Sequence, residues 1–145
     1  MTPACRVYAH SASDVSAMVR IASQNQCHFA VRSGGHMIWD GSSNIGADGI
    51  VIDLGKMKKI EIKGDAVVSI EPGLIMSELY EWLDPLNLTV MGGRVADVAV
   101  GGYFLGGEYS FCSTSLVFFF LTSRNRWYIF LREHHRIRKQ SYHKL

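Results

Sequence analysis

Residues 29–41, FAVRSGGHMIWDG, run from an apolar strand into an arginine, a serine, two glycines and a histidine. Two readings of that pattern compete. Strand ends need turns, and Gly-Gly makes turns because glycine reaches positive φ at little cost. Alternatively, consecutive backbone N–H groups can form a concave nest for an anion such as a diphosphate. On that second reading Ser33 offers a hydroxyl donor and Arg32 a balancing charge. His36 then stands where a ligand would lie, as a hydrogen-bond partner, a base or a nucleophile.

The surroundings of this loop decide between the readings. Upstream, SASDVSAMVRIASQNQ (11–26) has the pattern of a helix, with Ser11 or Ser13 as its cap. Val15, Met18, Val19 and Ala22 form its apolar stripe. HFAVR reads as a short buried strand. Downstream, Ile50–Leu54, Lys59–Ile62 and Ala66–Ile70 read as three short strands, split by Gly55 and Gly64. Helical spacing returns in Ile75, Leu79, Trp82, Leu83 and Leu86, and Pro85 marks its stop. LTVMGGR (88–94) is a strand running into a second Gly-Gly, and VGGYFLGG (100–107) is a third glycine cluster, read as a loop. The order is α+β rather than a regular parallel alternation. Three glycine clusters within 75 residues make the close approach of backbone to a ligand the better reading. Neither G-x-G-x-x-G nor G-x-x-x-x-G-K is present, so the loops of an α+β domain would hold the phosphate, not a single helix N-terminus.

Composition bounds the rest. The 145 residues, 48% apolar with net charge +2, suit one domain with a core. Arg124, Arg126, Arg132, Arg136, Arg138, Lys139 and Lys144 against Glu133 give the last 22 residues a charge of +6, leaving −4 for residues 1–123. Such a basic end is most often solvated charge, and no nucleic-acid partner is expected from it. Cys5, Cys27 and Cys112 show no metal-ligand spacing and are odd in number, so at least one thiol lacks an internal partner. His134-His135 have only Glu133 beside them and make no metal site. Met1–His10 has no apolar signal core. The longest apolar run, Leu116–Leu121, is six residues and too short to span a bilayer. Localisation stays open.

The segments CRVYAHSASDVSAMVRIASQNQCHFAVRSGGHMIWDG, GIVIDLGKMKKIEI, VVSIEPGLIMSELYEWL and GGRVADVAVGGYFLGG together resemble the FAD-linked oxidoreductases of the berberine-bridge type. These carry the p-cresol methylhydroxylase (PCMH) type flavin domain shared with vanillyl-alcohol oxidase. The resemblance covers residues 3–111 and implies an α+β domain of small mixed or parallel sheets with flanking helices. It implies FAD as cofactor, with Arg32, Ser33, Gly34 and Gly35 at the pyrophosphate and His36 joined covalently to the flavin. Val100, Gly101, Gly102, Gly106 and Gly107 would pack along the cofactor. It also implies oxidation of a small alcohol, amine or sugar-like substrate, favoured by the raised potential of a histidyl-linked flavin. Some members add a cysteinyl link before the second glycine run; RVADVAVGG has no cysteine, so double attachment is not expected.

Two departures stand beside the resemblance. Glu108 replaces a third glycine and sets a carboxylate where a diphosphate should approach. Residues 112–145 match nothing in the family and hold no sustained period, which reads as a non-family tail on an incomplete domain. Cys5 would then have lost an upstream disulfide partner. The expectations that follow are a fragment inactive by itself and poor solubility from the apolar runs 116–121 and 127–131. The alternative function is a non-catalytic relic or interaction fragment without flavin.

Overall fold

Alternating apolar residues and glycine breaks produce two small sheets in the computed structural model, which describes residues 1–64, 67–107, 109–110, 120–123 and 126–133, the last two segments by their backbone. Expectations resting on Glu108, on residues 111–119 or on the basic end beyond 133 lie outside them.

The first sheet is parallel. Strands β1 (Cys5–Tyr8), β2 (His28–Arg32) and β3 (Gly49–Asp53) lie in the order β1-β3-β2. The register sets Tyr8 and Arg32 on either side of Asp53. β1 is too short and too polar for period to announce it; its pairing with β3 makes it a strand. Helix α1 (Ala12–Gln24) joins β1 to β2, as a parallel crossover requires. Of the two candidate caps, Ser11 serves: its hydroxyl accepts the Asp14 N–H at 3.2 Å. The Asp14 carboxylate accepts the His10 N–H at 2.9 Å, and that bond, then the Ser11 hydroxyl, holds its pKa below the ordinary 3.8.

Two expectations change here. HFAVR is not buried: β2 is an edge strand, and Phe29 and Val31 are 37% and 45% exposed. The buried centre is β3, where Val51 and Ile52 are fully enclosed. On α1 only Ala22 of the apolar stripe is buried, while Val15, Met18 and Val19 are half-buried.

The second sheet is antiparallel. β4 (Ile60–Lys63) and β5 (Val67–Ile70) form a hairpin. Helix α2 (Met76–Leu83) follows, then a 3-10 turn over Asp84–Leu86. The helix therefore ends before Pro85, and Asn87 leaves the turn at φ 55, a left-handed conformation that asparagine tolerates. β6 (Leu88–Val90) comes next. Beyond α3 (Val100–Gly106), β7 (Phe120–Ser123) and β8 (Arg126–Glu133) form a hairpin. The backbone of β8 pairs with both β5 and β6 in the order β4-β5-β8-β6. Residues without a readable period are thus strands that gain their register from partners distant in sequence.

The hydrophobic core lies over this second sheet. Val68 and Ile70 of β5 pack with Met76, Leu79 and Leu83 of α2 and with Val100, Tyr103 and Phe104 of α3. Each fully buried Leu contributes roughly 1.5–3 kcal/mol. The core row of α2 is Met76, Leu79 and Leu83; Trp82 and Leu86, expected on that row, are 39% and 48% exposed.

The largest difference from the sequence reading is VGGYFLG, which is the helix α3 and not a loop. Four glycines in eight residues disfavour a helix by propensity. Tertiary packing of Val100, Tyr103 and Phe104 overrides it. Gly107 at φ 66 ends the helix as its left-handed cap.

Candidate flavin site at the junction of the two sheets

The RSGGH loop leaves the end of β2 and meets the start of α3. Leu54 N–H donates to Arg32 carbonyl at 2.8 Å, holding the strand end in place. Below it, Asp53 is 6% exposed, accepts the Gly55 N–H at 2.8 Å and lies 3.7 Å from Arg6. Gly35 then turns the chain at φ +67, where a methyl would also strike the Arg32 guanidinium. A side chain at Gly34 would lie 2.7 Å from the Ala99 Cβ. A side chain at Gly101 would lie 3.1 Å from the Ser33 hydroxyl and from the Pro72 carbonyl. Glycines 34 and 101 therefore let the loop and α3 touch, a use beyond ligand approach.

Between them opens a cleft of about 1520 Å³. That exceeds the roughly 300–1,000 Å³ of a drug-sized site and suits a dinucleotide. Of the ten residues expected at the site, Ser33, Gly34, Gly35, His36, Gly101 and Gly102 line it. Arg32 lies beneath Gly35, Val100 is in the core, and Gly106 and Gly107 finish α3 away from the cleft wall. The second glycine pair is also elsewhere: Gly92 and Gly93 pack against Tyr80 and Tyr103, and the Tyr80 hydroxyl donates to Gly93 carbonyl at 2.7 Å.

The walls carry residues that the motif did not reveal. Val15 and Val19 of α1, with Val31 of β2, turn their apolar side chains to the cleft instead of to a core. Met37, Ile38 and Trp39 rise at its mouth, 55%, 86% and 67% exposed. Three large apolar residues directly after the histidine were the available signal. Among the described residues, Arg20 is the one formal cation on the wall, and no Asp or Glu lines it.

These residues fit an anionic dinucleotide. Among the described residues, none accepts a hydrogen bond from the backbone N–H groups of Gly34, Gly35 or His36. Such donors beside a cleft whose described lining holds no carboxylate suit a diphosphate. Gly102 has nothing within 4 Å of its Cβ position, leaving α3 backbone open to a ligand. The Ser33 hydroxyl, at the edge of the cleft, donates to the Pro72 carbonyl at 2.5 Å.

Residues 3–117 match the family described as FAD binding domain. The chain belongs to that family. It is 43% identical over 73% of its length to the FAD-dependent monooxygenase macF of Penicillium terrestre, of which it covers 21%. Among solved structures it resembles aclacinomycin oxidoreductase, with TM-score 0.63 and 32% identity, over 72% of this chain and 21% of that one. It resembles the BBE-like protein 28 of Arabidopsis thaliana with TM-score 0.66 and 30% identity, over 72% of this chain and 22% of that one. This is a PCMH-type FAD-binding domain with berberine-bridge-like neighbours, and FAD is its cofactor. The chain spans about a fifth of the length of the relatives it matches. No helix among the described residues is long and apolar enough to cross a membrane.

Proposed function

We propose that this chain is the flavin-holding part of an FAD-dependent oxidoreductase acting on a small alcohol, amine or sugar-like molecule, with His36 as the covalent attachment residue. The observation carrying this reading is that His36 and the N–H groups of Gly34 and Gly35 border the same cleft as Gly101 and Gly102. On this reading the loop N–H groups hold the diphosphate and Arg20 offsets its charge. Val15, Val19 and Val31 exclude water from the flat part of the ligand. His36, exposed at the end of the loop and lining the cleft, supports this reading by its accessibility to a ligand there. When bound, FAD supplies the acceptor for hydride from a substrate C–H bond.

The test is expression with FAD available, followed by denaturing electrophoresis. Yellow fluorescence that stays with the protein band in the wild type and vanishes in His36→Ala supports the attachment. Fluorescence that is lost on denaturation, with FAD bound beforehand, supports a non-covalent site. A colourless, aggregated chain supports the flavin-free relic instead.

A further inference from the structure

We propose that Ser33 is a positioning residue, which clips the flavin loop to α3 through the Pro72 carbonyl and does not itself contact the diphosphate. The inference rests on the flavin-site reading above and narrows the role of one residue within it.

A serine hydroxyl has one proton to donate and lone pairs to accept with. In Ser33 that proton lies along a 2.5 Å contact to the Pro72 carbonyl. A diphosphate at neutral pH presents acceptors alone. Toward such a group the Ser33 oxygen offers only lone pairs, which repel. Contact with phosphate would require the hydroxyl to release Pro72 and leave that carbonyl with one partner fewer.

The Pro72 carbonyl serves both glycine clusters. It accepts the Ser33 hydroxyl and also the Gly101 N–H, the latter at 3.2 Å. One oxygen with two lone pairs thus joins the end of β2 to the first turn of α3. Next to it, Val100 N–H donates to Leu74 carbonyl at 2.8 Å, fixing the same turn to the same strap. The fit is close on every side: Gly34 meets Ala99, and Gly101 leaves 3.1 Å between its Cβ position and the Ser33 hydroxyl. One half of the cleft comes from the loop after β2 and the other from α3, and this oxygen holds them in register. Donation to the diphosphate is then left to the loop backbone.

The experiment uses the full chain prepared without added flavin. Trypsin cleaves after Arg32, directly before the clip, and cleavage there needs the loop to open. Ser33→Ala should speed cleavage after Arg32 about fivefold in flavin-free protein, the effect of losing one hydrogen bond. It should also weaken FAD binding, read by quenching of flavin fluorescence. Ser33→Thr, which keeps the hydroxyl, should restore both. Circular dichroism checks that Ser33→Ala remains folded. If it does not, Gly101→Ala carries the test, since its methyl wedges the same three groups apart and should raise the same cleavage.

Unchanged flavin-free cleavage in a folded variant, with FAD binding weakened, overturns the proposal and makes Ser33 a direct phosphate ligand. Unchanged cleavage with unchanged FAD binding overturns it as well. A wild-type chain that binds no FAD breaks the flavin-site reading, yet the flavin-free cleavage comparison still reports on the clip.

Discussion

β3 and β5 each place consecutive residues out of solvent, Val51 and Ile52 in one and Val68, Ser69 and Ile70 in the other. Their surroundings differ. β5 has two helices over it, whose Met76, Leu79, Leu83, Val100, Tyr103 and Phe104 close a continuous core. β3 has edge strands on both sides, and Tyr8, Phe29 and Val31 of those strands remain 45%, 37% and 45% exposed. The helix beside it buries one residue and spends Val15 and Val19 on the cleft. The second sheet is thus stabilised by its own packing. The first leaves Val31, with Val15 and Val19 of α1, on the cleft wall, where a bound ligand would stabilise it by linkage.

The largest expected effect follows from the core. Leu79→Ala, at a fully buried position over β5, should cost about 2–5 kcal/mol in denaturant unfolding. Val19→Ala on the cleft wall should stay within about 1 kcal/mol and appear instead as weaker FAD binding. A Val19→Ala loss as large as that of Leu79→Ala would break the comparison.

Gly35→Ala is next. At φ +67, with a methyl driven against the Arg32 guanidinium, it should cost about 1–3 kcal/mol. Hydrogen exchange should rise in β2 and its loop while β5 keeps its protection. An equal rise in both sheets would show that they open as one unit.

The smallest effect separates surface charge from core. Burial pulls the Glu78 carboxyl up, but the Lys58 ammonium and the Ile75 N–H outweigh it and hold its pKa below the ordinary 4.5. The depressed folded value means that its stabilisation is complete above that ordinary value. It is lost as pH falls through the folded one. Glu78→Gln should remove this acid dependence and cost less than about 1 kcal/mol at neutral pH, since the pair with Lys58 is solvent-exposed. A larger loss would place the Glu78 contact with the Ile75 N–H, at the start of α2, among the main supports of the second sheet.

Legibility followed locality. The α1 cap and the β4–β5 hairpin rest on neighbours in sequence, and both could be read from Ser11, Asp14 and the break at Gly64. The glycine run of α3 misled, because four glycines signal a loop unless Tyr103 and Phe104 are known to be in a core. At the site, Gly34, Gly35 and His36 could be found from spacing, whereas Arg20 and Trp39 carried no motif.

By itself the sequence determined the α+β order, because turn and strand patterns are local; its resemblance pointed to the FAD-binding family, and the glycine loop it singled out borders the cleft. Only the tertiary structure decided which glycines face the cleft and which accept a neighbouring chain segment. It alone gave Ser33 its partner and β8 its place between β5 and β6. Those outcomes depend on groups 39 residues apart in the first case and further apart in the second, and no local pattern encodes which distant carbonyl a hydroxyl will find.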